Sequence, residues 1–165
     1  MDAGSRFEGW NEDFSDLKQR TQGPRYLPQR KRVLMVTPVL VRGGSERQIL
    51  STAAGLLRKG YQVEIFCFAA VLGAPDFTEE FSRIGIKCHY PSAFEADDEE
   101  DAEDVRGLER FAHLVEHLNV VAIGRALART IREYRPEVVH CWSDFSNVVG
   151  GLTSTNLADP RIVLG

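Results

Sequence analysis

The chain has 165 residues, of which 43% are hydrophobic and 27% charged, and its formal net charge is -4. That length suits one domain with a real core rather than two, and the composition is that of a globular protein rather than a disordered or fibrous one. The negative balance argues against a nucleic-acid partner, no apolar run approaches the ~20 residues that span a bilayer, and the amino terminus lacks the apolar core of a secretory signal.

Residues 1–31 read as a polar tail or irregular arm, with Phe7, Trp10 and Phe14 as side chains able to dock on a body. "PQRKR", Pro28 to Arg32, is a small basic cluster. It is either a solvated lead into a strand or a contact for anionic headgroups. Val33 to Thr37 is nearly all apolar and ends at Pro38, the pattern of a strand covered on both faces. A loop with paired glycines, Gly43-Gly44, follows. Ser45 then reads as a helix N-cap, with Gln48 completing a capping box. Ile49, Leu50, Ala53, Ala54 and Leu57 make an apolar stripe at helical spacing, and Gly60 is a natural stop.

Tyr61 to Phe68 is the second predicted strand. Phe77 to Ile84 is a short helix stopped by Gly85, and Ile86 to Tyr90 is the third strand. Glu95 to Asp104 holds eight acids in ten residues, so it reads as an exposed loop, with docking of a basic partner as the functional alternative. Helices are predicted over Leu108 to Leu118 and Val121 to Tyr134, broken at Asn119. Ile123, Leu127, Ile131 and Tyr134 share one face of the second. Arg135-Pro136 ends it, and Val138 to Trp142 is the fourth strand. Asp144 to Leu157 is a helix whose Gly150-Gly151 pair permits close packing on the sheet. Arg161 to Leu164 is the fifth strand.

Strands alternating with helices imply right-handed crossovers. The predicted fold class is α/β: a doubly wound, mainly parallel Rossmann-like sheet with helices on both faces. Cys67, Cys88 and Cys141 are odd in number and widely spaced, which suggests free thiols in a reducing cytoplasm rather than a disulfide framework.

In such sheets ligands bind beyond the carboxyl ends of the strands. Gly43-Gly44 sits at that edge, where bare backbone and a helix N-terminus can receive a phosphate. A plain turn with positive φ explains the glycines equally well. The phosphate-binding G-x-x-x-x-G-K-[ST], the dinucleotide G-x-G-x-x-G and the G-x-S-x-G nucleophile elbow are all absent. "HLVEH" fits the inverted zinc-protease pattern, with His113 and His117 on one helix face and Glu116 as general base. Two surface histidines beside an acidic loop explain it as well.

"LVRGGSERQILSTAAGLLRKGYQVEIFCF", then "RPEVVHCWSDFSNVVGGL" and "PRIVLG", resembles the N-terminal domain of the GT-B-fold retaining glycosyltransferases of family four. The resemblance covers Arg32 to Gly165. It implies transfer of a sugar from a nucleotide-sugar donor to a glycan or lipid-linked acceptor with retention, and no required metal or other cofactor. By position, Gly43, Gly44 and Ser45 would face the donor diphosphate. Arg47, Trp142, Ser143, Asp144 and Asn147 become acceptor-side candidates, although the last three also read as cap residues. Glu46 in the first turn suits the helix dipole. Many members carry a histidine where this chain has Trp142, which leaves the catalytic residue unknown; His140 reads as a packed core histidine.

The resemblance also implies a C-terminal donor domain, so the chain reads as a truncated, inactive half that works in the cytoplasm, peripherally at the inner membrane face. Two other classes stay open: a non-enzymatic Rossmann-like binding or regulatory module, and a zinc hydrolase built on His113 and His117.

Overall fold

The computed structural model describes residues 31–71, 73–91, 120–155, 157 and 160–165. The segment 1–30, the acidic run Glu95 to Asp104, the expected helix Leu108 to Leu118 with His113, Glu116 and His117, and the break at Asn119 lie outside the described residues.

In chain order the elements are β1 (Arg32–Thr37), α1 (Gly44–Arg58), β2 (Gln62–Cys67), α2 (Thr78–Arg83), β3 (Lys87–His89), α3 (Val120–Tyr134), β4 (Val138–Cys141), α4 (Asp144–Thr155) and β5 (Arg161–Leu164). The strands form one sheet in the order β3-β2-β1-β4-β5. Every pairing is parallel; Met35 stands opposite Ile65 on one side and His140 on the other. The order reverses at β1, so this is a doubly wound Rossmann-like sheet whose switch point lies between β1 and β4.

Strand period decides which residue faces which helix layer. From β1, Val33 and Met35 go to one face, where they meet Ile49, Leu50, Ala53 and Ala54 of α1 and Phe81 of α2. Leu34 and Val36 go to the other face, against Ile123, Leu127 and Ile131 of α3 and Val149 of α4. Because both faces are covered, β1 can carry no polar alternation, and Leu34, Met35 and Val36 are fully buried. Burying each such side chain stabilises the fold by roughly 1.5–3 kcal/mol.

The ladder ends one residue earlier than expected at three strands, β2, β3 and β4. Phe68 and Trp142 lie just past β2 and β4, each still donating its N–H to β1, to Thr37 O at 3.1 Å and Val36 O at 2.8 Å. Two helices stop at a left-handed glycine, α1 at Gly60 (φ 85°) and α2 at Gly85 (φ 81°), where a Cβ would be strained. Helix α3 stops the same way on Arg135, at φ 50°. Of the glycine pair in α4, only Gly150 is in close contact with the sheet. A Cβ there would collide with Cys141 Sγ, whereas one at Gly151 would meet nothing nearer than Leu164 Cδ2 at 4.0 Å.

Candidate functional site at the carboxyl edge of the sheet

The loop leaving β1 is held from behind. Thr37 donates its hydroxyl to Val39 O at 3.1 Å. The Arg42 N–H donates to Pro75 O at 3.0 Å, and Leu40 O accepts the Phe77 N–H at 2.9 Å. Val41 bridges Asp76. The Arg42 guanidinium pairs with Glu80 and lies over the Phe77 ring. These ties place Gly43-Gly44 at the carboxyl end of the central strand.

The expected cap is corrected here. Helix α1 begins at Gly44, so Gly43, extended at φ -139°, is the N-cap, and no side chain caps the first turn. Ser45 is already the second helical residue, so its hydroxyl cannot reach back to serve the N-cap role. It donates instead to Glu46 Oε1 at 2.9 Å. Glu46 stands at the third helical position, the place of the acidic member of a capping box. Its carboxylate lies over Gly43, close enough to collide with a Cβ built there. A side chain at position 43 would have to displace the mobile end of Glu46, and an extended Gly43 replaces the expected alternative of a left-handed turn. Gly44 is exposed with open space in front of it.

A helix start with no side-chain acceptor leaves its first N–H groups available to a ligand anion. The same end carries the positive pole of the helix dipole. Glu46 is the competing charge: its carboxylate stands beside this pole, and an incoming anion must share the space with it.

The second wall follows β4, the neighbour of β1. Trp142 is half-buried against the cluster that contains Leu40 and Ile49. Its indole Nε1 is buried and has no hydrogen-bond partner among the described residues. His140 is half-buried with its ring 4.8 Å from that of Trp142, and burial lowers its pKa. It is therefore a neutral ring lying against Trp142. Ser143 adopts φ 86°, a conformation that costs about 1–2 kcal/mol for a residue with a Cβ. It turns the chain sharply from β4 into α4, and its carbonyl accepts the Asn147 N–H at 2.9 Å. Asp144 is exposed in the first turn.

Asn147 is already engaged. Its Nδ2 donates to Gly165 O at 2.7 Å and its Oδ1 accepts the Gly165 N–H at 3.2 Å. Arg47, half-buried on α1, is also partnered. The fold thus brings Gly43, Gly44 and Ser45 to the same edge as Trp142, Ser143 and Asp144, in the connections that follow the adjacent strands β1 and β4. Among the described residues no three His, Cys, Asp or Glu side chains gather as a metal site.

The sequence profile described as Glycosyltransferase Family 4 matches residues 42–165, from the residue before Gly43 to the end of the sheet. The chain belongs to Glycosyltransferase Family 4. Its fold is that of the N-terminal domain of GT-B glycosyltransferases. Two solved structures are similar to this family-four domain in fold. One is MurG from Acinetobacter baumannii, at TM-score 0.53 and 14% identity, with 81% of this chain and 33% of that one covered. The other is a glycosyltransferase from Rickettsia africae, at TM-score 0.52 and 18% identity, with 83% and 30% covered. The family-four domain thus spans about a third of the length of these structures. No curated protein sequence matches it.

Glu46 was read from the sequence as a first-turn acid that suits the helix dipole, and it is found there; its place at the acidic capping-box position was legible only with Gly43 as the cap. The strained Ser143 carries no signal, because serine is not a residue that favours positive φ.

Proposed function

We propose that residues 32–165 are the acceptor-side half of a retaining glycosyltransferase. In this reading a sugar passes from a nucleotide-sugar to a glycan or lipid-linked acceptor, without a cofactor. The single observation that carries it is the helix start at Gly43-Gly44 with no side-chain cap, at the carboxyl edge of the sheet by its switch point. Gly44, Ser45 and Glu46 would offer N–H groups to the donor diphosphate. Trp142 offers a ring face on which an acceptor sugar can lie, and Ser143 and Asp144 offer polar contacts at the rim. Arg47 and Asn147 act from behind, through the partners they already hold. GT-B chemistry closes two domains on its substrates, so this domain by itself binds without turning over.

Cys67, Cys88 and Cys141 are all free, which supports a reducing, cytoplasmic setting. No described helix is long and apolar enough to cross a membrane; contact with a lipid-linked acceptor would then be peripheral.

The test is Gly44→Asp. Position 44 has room for a side chain, and an acid in the first turn strengthens the helix by about 0.3–1 kcal/mol. The same charge repels a diphosphate. Calorimetric titration with UDP, GDP and ADP should show at least one nucleoside diphosphate binding the parent chain, with affinity at least tenfold weaker in the variant. Equal affinity in a stably folded Gly44→Asp would overturn the reading.

A further inference from the structure

At the opposite, amino-terminal edge of the sheet lies a cavity of about 560 Å³, lined by Arg32, Arg132 and Arg135 with Glu137, and by Pro136 and Leu157 as apolar wall. We propose that it is a binding site for a phosphoryl group carried on a partly apolar molecule, separate from the transfer crevice. β1 runs between the two, six residues or ~17 Å at strand rise, and Rossmann-like sheets place their usual ligands at the other edge. The proposal does not depend on the transfer reaction.

Three observations support it. First, the size falls within the ~300–1,000 Å³ of small-molecule sites, and the lining offers three guanidiniums against one carboxylate. Arg132, in the last turn of α3, has the ordinary explanation of facing the negative end of a helix. Arg32 and Arg135 do not, since one opens a strand and the other has left the helix. Neither has a carboxylate within ion-pair distance among the described residues. Arg32 lies 6.0 Å from the centre of the Tyr134 ring instead.

Second, Arg135 occupies a position that this chain otherwise gives to glycine. Gly60 and Gly85 take the left-handed exit of α1 and α2, while Arg135 takes that of α3 at φ 50°. A non-glycine residue held at positive φ is a pointer to function, and Arg135 lines the cavity.

Third, the frame is rigid. The Arg135 N–H donates to Ile131 O at 2.8 Å, the Glu137 N–H to Arg32 O at 2.9 Å, and the Arg161 N–H to Glu137 O at 2.9 Å. These bonds tie the end of α3 to the starts of β1 and β5. The backbone segments that carry Arg32 and Arg135 are therefore fixed before a ligand arrives, and the planar guanidinium fork is the group best suited to phosphate.

The experiment titrates pyrophosphate into the full chain and into Gly44→Asp, Arg32→Gln and Arg135→Gly. A saturable component should survive Gly44→Asp and weaken at least tenfold in each arginine variant. Without ligand, Arg135→Gly should melt at the parent temperature or above, which separates loss of the ligand from loss of the fold. Absence of any component in Gly44→Asp, or unchanged binding in both arginine variants, would overturn the proposal. Sedimentation with phosphatidylcholine vesicles containing phosphatidylglycerol identifies the source. Arginine-dependent vesicle binding that pyrophosphate displaces assigns a lipid headgroup; pyrophosphate binding without vesicle binding assigns a soluble phosphate.

Discussion

Gly150 and Gly151 are sequence neighbours, yet the sheet beneath them makes opposite demands. Replacing either with alanine gains about 0.8–1 kcal/mol of helix propensity. At Gly150 the new methyl must share space with Cys141 Sγ, in a region where Gly150, Cys141 and Val149 are all buried. Overpacking of that kind costs about 1–3 kcal/mol, so Gly150→Ala should range from neutral to about 2 kcal/mol less stable. At Gly151 the methyl meets only Leu164 at ordinary contact distance, so Gly151→Ala should gain up to about 1 kcal/mol from propensity alone. Urea unfolding followed by circular dichroism reads the difference as midpoints moving apart by about 1–3 kcal/mol in stability, with m unchanged. Adding Cys141→Ala should restore much of the loss at 150 and none at 151, a coupling expected only of residues in contact. Variants that shift together, or a Gly150→Ala that Cys141→Ala does not rescue, would refute the packing of α4 on β4.

Three further outcomes follow from the site and the core. Glu46→Gln removes the carboxylate over Gly43: nucleoside diphosphate should bind several-fold more tightly while thermal stability falls by about 0.3–1 kcal/mol, and unchanged or weaker binding would mean that Glu46 does not compete with the anion. Ser143→Gly relieves a left-handed serine but frees the unfolded chain, so it should be neutral to about 1 kcal/mol stabilising; a clear loss in a melting experiment would show that the Ser143 side chain holds the turn. Burial pushes the thiols of Cys67, Cys88 and Cys141 from 9.0 up to about 12. The folded protein therefore keeps these protons longer than the unfolded chain does. That contribution to stability is fully present below pH 9 and is lost as pH rises toward 12. Urea midpoints should fall across that window, and native thiols should label slowly with an aromatic disulfide at pH 8; fast native labelling of all three would contradict their burial.

Much of this fold is legible because the pattern and the physics agree. β1 reads as a doubly covered strand since both of its faces meet helices, and the stripe Ile49, Leu50, Ala53 and Ala54 predicts the buried face of α1. Gly60 and Gly85 announce helix ends through the one conformation glycine makes easy. What is not legible depends on side chains finding one another across the chain. Ser45 was expected to cap α1 because its residue type fits, but the helix starts earlier, the N-cap is Gly43, and the Ser45 hydroxyl goes to Glu46 instead. Asn147 reads as a polar rim residue, whereas Gly165, eighteen residues on, occupies both ends of its amide. Arg135 was expected only to end a helix; nothing in its type announces a left-handed conformation or a cavity.

The central claim is that the uncapped start of α1 receives the diphosphate of a sugar donor. Amide chemical shifts of the isotope-labelled chain, followed during titration with the nucleoside diphosphate that binds best, test it residue by residue. The account predicts the largest changes at Gly43, Gly44, Ser45 and Glu46, accompanied by Ser143 and the Trp142 indole N–H. Saturable binding that leaves those signals unmoved and shifts other parts of the sheet would contradict it.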